Sequence, residues 1–353
     1  MKNKKEVTFS ELSASLREDG LSDKGLEEDI KGELEKEGRS TPLYVKFISG
    51  LGAWIAAPFL LFGLFMVFSA YPSRASILSM GSFLLVVATV GSRLKKGVFL
   101  DQLSLALGLA GHFGLIYGFD EYQGTFIMPA IVHTVSTLIF YPFFRNEIYR
   151  FITPLVAGIF WILVSYELGQ LYLINIVLLI EVMGAGWLLL RAGRSSIWGP
   201  LGTSLATCAL LTLFIIETAP IIGFMRLEGT SLLTFPRLIV TAGTVMLITR
   251  MGGTARLKQE WMVIAIVAAL LIGLFASPAV LAAIAVMALG YGARDNITLA
   301  VGTVFLPAFI TAYYYSLEVG LAYKSYVLAG SGLVLLLARW ILSKRPWAKE
   351  VAA

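Results

Sequence analysis

The chain has 353 residues, of which 57% are hydrophobic and 14% charged, and its formal net charge is +5. Soluble domains carry about 25% charged residues, so this composition excludes a water-exposed globule. The basic excess does not point to nucleic acid, because Lys and Arg cluster at the ends of apolar stretches. There they orient a membrane chain and meet anionic headgroups. The single cysteine, Cys208, excludes an internal disulfide framework and a Cys-based zinc site.

Residues 1–46 read as a cytoplasmic tail with eleven acidic and nine basic residues. The basic start, Met1-Lys-Asn-Lys-Lys5, runs into charged residues instead of an apolar core, so no cleavable signal is expected. Thr8 and Glu11 have capping-box spacing, with Phe9, Leu12 and Leu16 on one apolar face. Leu26, Ile30 and Leu34 mark a second face. Two short amphipathic helices and a solvated extension both fit this pattern.

Residues 47–343 read as an all-α membrane domain of about twelve transmembrane helices in six hairpins, followed by a cytoplasmic tail at 344–353. Phe47–Ala70 pairs with Ile77–Val90, Phe99–Phe119 with Gly124–Phe144, and Phe151–Ser165 with Leu171–Leu190. Ile197–Ile216 and Leu238–Ile248 flank the longest external loop. Trp261–Ala276 and Pro278–Tyr291 meet at Ser277-Pro278, and Ile297–Tyr315 pairs with Tyr323–Leu342. As one helix, 261–291 would be about 46 Å long against a hydrocarbon core of about 30 Å, so two short helices are expected.

Charge sets the orientation. With the N-terminus in the cytoplasm, alternate loops and the C-terminus hold fifteen Lys and Arg on the cytoplasmic side. The other side holds four: Arg74, Arg226, Arg237 and Lys324. That bias is the positive-inside pattern. It places both termini in the cytoplasm of a multi-pass membrane protein.

Two segments carry a family likeness. Gly50-Leu-Gly-Ala-Trp-Ile-Ala-Ala57 opens the first helix. Tyr313-Tyr-Tyr-Ser-Leu-Glu-Val-Gly-Leu-Ala-Tyr-Lys-Ser325 stands near the end, before Gly330-Ser-Gly332 and Arg339. Together they resemble bacterial membrane proteins with domain of unknown function 4401, related to those with domain 2157. The resemblance implies a multi-helix inner-membrane protein without assigned activity and suggests a companion protein with a Gly-Asp-Tyr motif. It supplies no catalytic residues.

Ionisable side chains inside hydrocarbon cost about 2.5–3.5 kcal/mol on insertion scales, so each needs a reason. His112 and His133 lie about 10 and 13 Å from the external ends of consecutive helices, and Glu181 about 15 Å into the sixth. These depths allow the histidines to face each other. The trio reads either as a proton relay or as interhelical hydrogen bonding. Ser104, Gly108, Gly111, Gly114 and Gly118 form a small-residue stripe suited to close packing.

Tyr313, Tyr314, Tyr315, Glu318 and Lys324 form an external patch that reads as a site for a lipid headgroup, sugar or partner, or as an interfacial anchor. Glu217, Arg226, Glu228 and Arg237 form a similar patch in the longest external loop. No P-loop or His-Glu-x-x-His motif occurs, so no catalytic residue, metal site or cofactor is assigned. Gly202-Thr-Ser-Leu205 is too short a match to an intramembrane serine nucleophile to assign one. The reading is an integral membrane protein acting as a proton-coupled transporter of a small molecule or ion. The alternative is a non-enzymatic component that works with a partner protein in envelope maintenance or sensing. Membrane lipids are expected partners in both, and nucleic acid in neither.

Overall fold

The computed structural model describes residues 43–68, 73–94, 97–119, 124–192, 197–222, 234–253, 259–275, 277–316 and 325–326. Among them the architecture is all helical, with eleven helices. In chain order these are α1 (Leu43–Phe68), α2 (Arg74–Arg93), α3 (Val98–Phe119), α4 (Ile127–Phe140), α5 (Glu147–Glu167) and α6 (Leu171–Ala192). They continue as α7 (Trp198–Ile222), α8 (Thr234–Gly252), α9 (Glu260–Phe275), α10 (Pro278–Ala293) and α11 (Asn296–Ser316). Six of them, α2, α3, α5, α6, α7 and α11, are long and apolar enough to cross a membrane. The protein is therefore a membrane-spanning helical protein. The apolar helices α4, α9 and α10 are shorter. The expected twelfth helix, Tyr323–Leu342, lies outside the described residues except for helical 325–326, and the tail helices lie wholly outside them.

Helix ends are set by caps and turns more than by hydropathy. Asn146 Oδ1 accepts from the amides of Ile148 and Tyr149 and starts α5 four residues before the first apolar run. Ser277 does the same for α10 by accepting from Ala279 and Val280, with Pro278 at the first helical position. That turn breaks 261–291 into α9 and α10, as the length argument requires. Gly124, at φ +64, sits before α4 and shortens it from the expected start. Two further boundaries move outward. Helix α7 runs on through Glu217 to Ile222, and α8 begins at Thr234, so Glu217 and Arg237 lie in helices and not in the external loop.

The helices pack in two groups joined by α5. Helices α1, α2 and α3 surround a cluster of Leu84, Ala88, Leu105 and Leu107, closed by Phe144 and Tyr149. Helices α6 to α11 share a larger core that includes Leu178, Leu210, Leu213, Ala283 and Phe309. Small residues permit the closest approaches. A Cβ on Gly81 would stand 2.9 Å from the Leu115 amide nitrogen, and one on Gly111 2.9 Å from the Gly81 carbonyl oxygen. The α3 stripe is therefore divided. Gly111, Gly114 and Gly118 face α2, whereas Gly108 faces Phe144 and Tyr149.

Candidate functional site

The interior polar groups form three clusters. The first is the histidine pair. Gly108 leaves room on α3 for the Phe144 and Tyr149 rings, which stack with centroids 3.7 Å apart. One turn further along α3, the Tyr149 hydroxyl reaches His112 Nε2 at 2.6 Å. His112 Nδ1 lies 2.9 Å from Ser136 Oγ, and Ser136 Oγ donates to the His133 carbonyl at 3.1 Å.

The Ser136 hydroxyl has one proton to share. With that proton on the carbonyl, His112 donates from Nδ1 and accepts from Tyr149 at Nε2; with it on Nδ1, both His112 bonds reverse. His133 donates from Nε2 to the Thr153 carbonyl at 3.0 Å. The two imidazoles meet edge to face with centroids 4.7 Å apart, and both are buried.

The second cluster surrounds Glu181. Its Oε2 accepts from Thr212 on α7 at 2.8 Å, while Oε1 is buried without a hydrogen-bond partner. Gly158 of α5 lies beside it, since a Cβ there would stand 3.5 Å from Glu181 Oε1 and also press on Cys208. The histidines meet α5 at Thr153 and Phe160, and Glu181 meets it at Gly158. Thr153 and Gly158 are five residues apart, about 140° around the helix. The structure thus brings His112 and His133 together and leaves Glu181 in a separate cluster on another side of α5.

The third set of polar contacts lies at the two ends of α7. At one end, Asp295 caps α11 by accepting from the amides of Ile297 and Thr298. Its Oδ2 also accepts from the Thr298 and Thr203 hydroxyls, at 2.5 and 2.8 Å. Burial opposes its charge, yet the hydrogen bonds from Thr298, Thr203 and the Ile297 and Thr298 amides outweigh it. Together they hold this carboxyl below the usual aspartate range. At the other end, Glu217 Oε1 accepts from Ser277, the cap of α10. A carboxylate at a helix N-terminus is also favoured by the helix dipole.

The sequence alone does not single out Asp295, and in it Glu217 reads as part of the longest external loop, whereas the structure places it in α7. The Ser/Thr spacing on α7 was the available signal: Thr203, Ser204, Thr207, Thr212 and Thr218 are all buried. Ser204 of the short serine match is fully buried, beside the Thr203–Asp295 contact. Of the external patch, Tyr315 is exposed at the end of α11 with Tyr314 edge-on against it. Glu318 and Lys324 lie outside the described residues, as do Arg226 and Glu228. Among the described residues no group of three or more His, Cys, Asp or Glu is placed to hold a metal ion.

Residues 42–345 match the family model for a domain of unknown function, DUF4401. The chain belongs to the DUF4401 family. No curated protein and no solved structure matches it. The DUF4401 match spans all three clusters, so the polar interior belongs to the family domain itself.

Proposed function

We propose that this protein is a proton-coupled transporter of a small molecule or ion, built from twelve membrane helices with both termini in the cytoplasm of a bacterial inner membrane. One observation carries the reading: three carboxyl groups stand at successive levels along α7, the most buried of the six long apolar helices. Asp295 meets it at Thr203, Glu181 at Thr212, and Glu217 belongs to it. The steps along the axis are about 14 and 8 Å. Asp295 and Glu217 stand at the two ends of the helix, and Glu181 is the deep one, with Oε1 buried and unpartnered. An ionisable group at such depth is costly and marks an ion or proton path in membrane bundles.

The three groups lie on different faces of α7. Exchange of a proton at buried Glu181 with the two sides in turn calls for the helices packed around it to open alternately, which is the motion that alternating access needs. The histidines play a different part in this reading. His112 is held by Ser136 of α4 and Tyr149 of α5, and His133 by the Thr153 carbonyl of α5 with its Nδ1 buried and unpartnered, and these bonds tie α3, α4 and α5 together.

The test is a solute screen in proteoliposomes that contain the full chain and an internal pH dye. Amino acids, sugars and monovalent or divalent ions are added outside. The proposal expects at least one class to acidify the interior, and the Glu181→Gln protein to lose that signal while still reconstituting. Solute uptake that moves no protons would remove the coupling, and no uptake of any class would remove the transporter.

A further inference from the structure

A cleft of about 220 Å³ lies between α6 and α8. A Cβ on Gly243 would stand 2.8 Å from Val182 Cγ1, so the two helices touch there. Gly186 and Leu247, then Leu190 and Arg250, line the cleft one and two turns later on each helix. The two helices are therefore parallel, and they diverge toward their C-terminal ends. A Cβ on Gly186 would meet nothing within 4 Å, so the missing side chain helps to keep the cleft open. Exposed Met183, Trp187 and Met246 form its outer rim.

Arg191 and Arg250 stand in the last turns of α6 and α8, and both line the same end of the cleft. The Arg191 guanidinium is held over the Trp187 ring, 5.5 Å from its centroid. Among the described residues no Asp or Glu lines the cleft. An apolar slot open to the bilayer and closed at one end by two arginines matches one chemical object: an acyl chain joined to a phosphate. Basic pockets between membrane helices bind anionic headgroups on this principle, and Arg suits phosphate by its planar fork of donors.

We propose that the α6–α8 cleft binds one anionic phospholipid, with an acyl chain along Gly186 and Trp187 and its phosphate between Arg191 and Arg250. This assignment is independent of transport.

The test uses the full chain in phosphatidylcholine bilayers doped with brominated phosphatidylglycerol or brominated phosphatidylcholine. The emission of Trp187 is isolated as the difference from Trp187→Phe. Brominated phosphatidylglycerol should quench it with an apparent association constant on the order of tenfold above that of brominated phosphatidylcholine. That preference should fall to near parity in the Arg191→Gln/Arg250→Gln double variant, whose exposed positions leave thermal stability unchanged. Gly186→Leu, which fills the slot, should lower quenching by the anionic lipid with both arginines present. Equal quenching by the two lipids, or a preference that survives the double variant, would overturn the proposal. So would protection of Trp187 from both lipids, the result expected if a second copy of the chain occupies the cleft.

Discussion

The Tyr149 hydroxyl and His112 Nε2 share a hydrogen bond of 2.6 Å that joins α5 to α3 in the interior of the protein. The other nitrogen of the ring is engaged by Ser136. Tyr149→Phe leaves a buried ring nitrogen without a partner, at a cost of about 1–3 kcal/mol. His112→Ala adds a cavity to that loss and should cost more. Thermal unfolding of the purified protein in detergent measures both. A double-mutant cycle between the two positions should give strong coupling, because each single change already removes the same bond.

The close helix contacts make a second prediction. A Cβ on Gly290 would run into the Leu299 backbone nitrogen, and backbone cannot step aside cheaply. Gly290→Ala should therefore separate α10 from α11 and destabilise by about 1–3 kcal/mol. Gly63→Ala, on a part of α1 where a Cβ meets nothing within 4 Å, should leave the melting temperature close to that of the wild type.

Asp295 provides a pH signature. Its carboxyl is held below the usual range in the folded chain, so the folded state keeps it ionised where the unfolded chain protonates it. Its contribution is present in full above the unfolded value of about 3.9 and is lost as pH falls through the lower folded value. Melting temperatures recorded down to acid should lose that part of their slope in Asp295→Asn. Asp295→Ala, which also removes the cap of α11, should cost about 0.5–2 kcal/mol at neutral pH.

Sidedness follows from the charge bias. Cys208 is buried, with its thiol against the Leu155 carbonyl, and is replaced by Ser in the test background. Single cysteines at Ser195, Thr254 and Ser343 should then resist a membrane-impermeant thiol reagent in intact cells. Those at Ser73, Gln123 and Gly229 should react. Labelling at 343 from outside would require an odd number of crossings and refute the twelve-helix count.

The parts of this molecule legible in sequence are those set by distance along the chain. Hydropathy located α1 to α11 because a bilayer demands long apolar runs. Depth arithmetic brought His112 and His133 to one level because their helices are consecutive. Rotation and neighbour order were not legible. Glu181 has a depth similar to theirs, but α5 lies between, and no pattern in α6 alone reveals that. Glu217 looked like a loop residue because a charge lowers local hydropathy. Its tolerance inside α7 comes from Ser277 and the α10 N-terminus, sixty residues later. The cleft between α6 and α8 was hidden for the same reason, since Gly186 and Gly243 come to line one cleft only in the packed structure.

The central claim is that Glu181 exchanges a proton as part of the working cycle. Currents on a solid-supported membrane carrying reconstituted protein test it most directly, by reading the charge displaced when pH is stepped across neutrality. Wild-type protein should give a transient current, retained in Glu147→Gln, which alters an exposed carboxylate at the start of α5. Glu181→Gln should abolish it at unchanged melting temperature. The same transient in Glu181→Gln, or none in the wild type, would contradict the account.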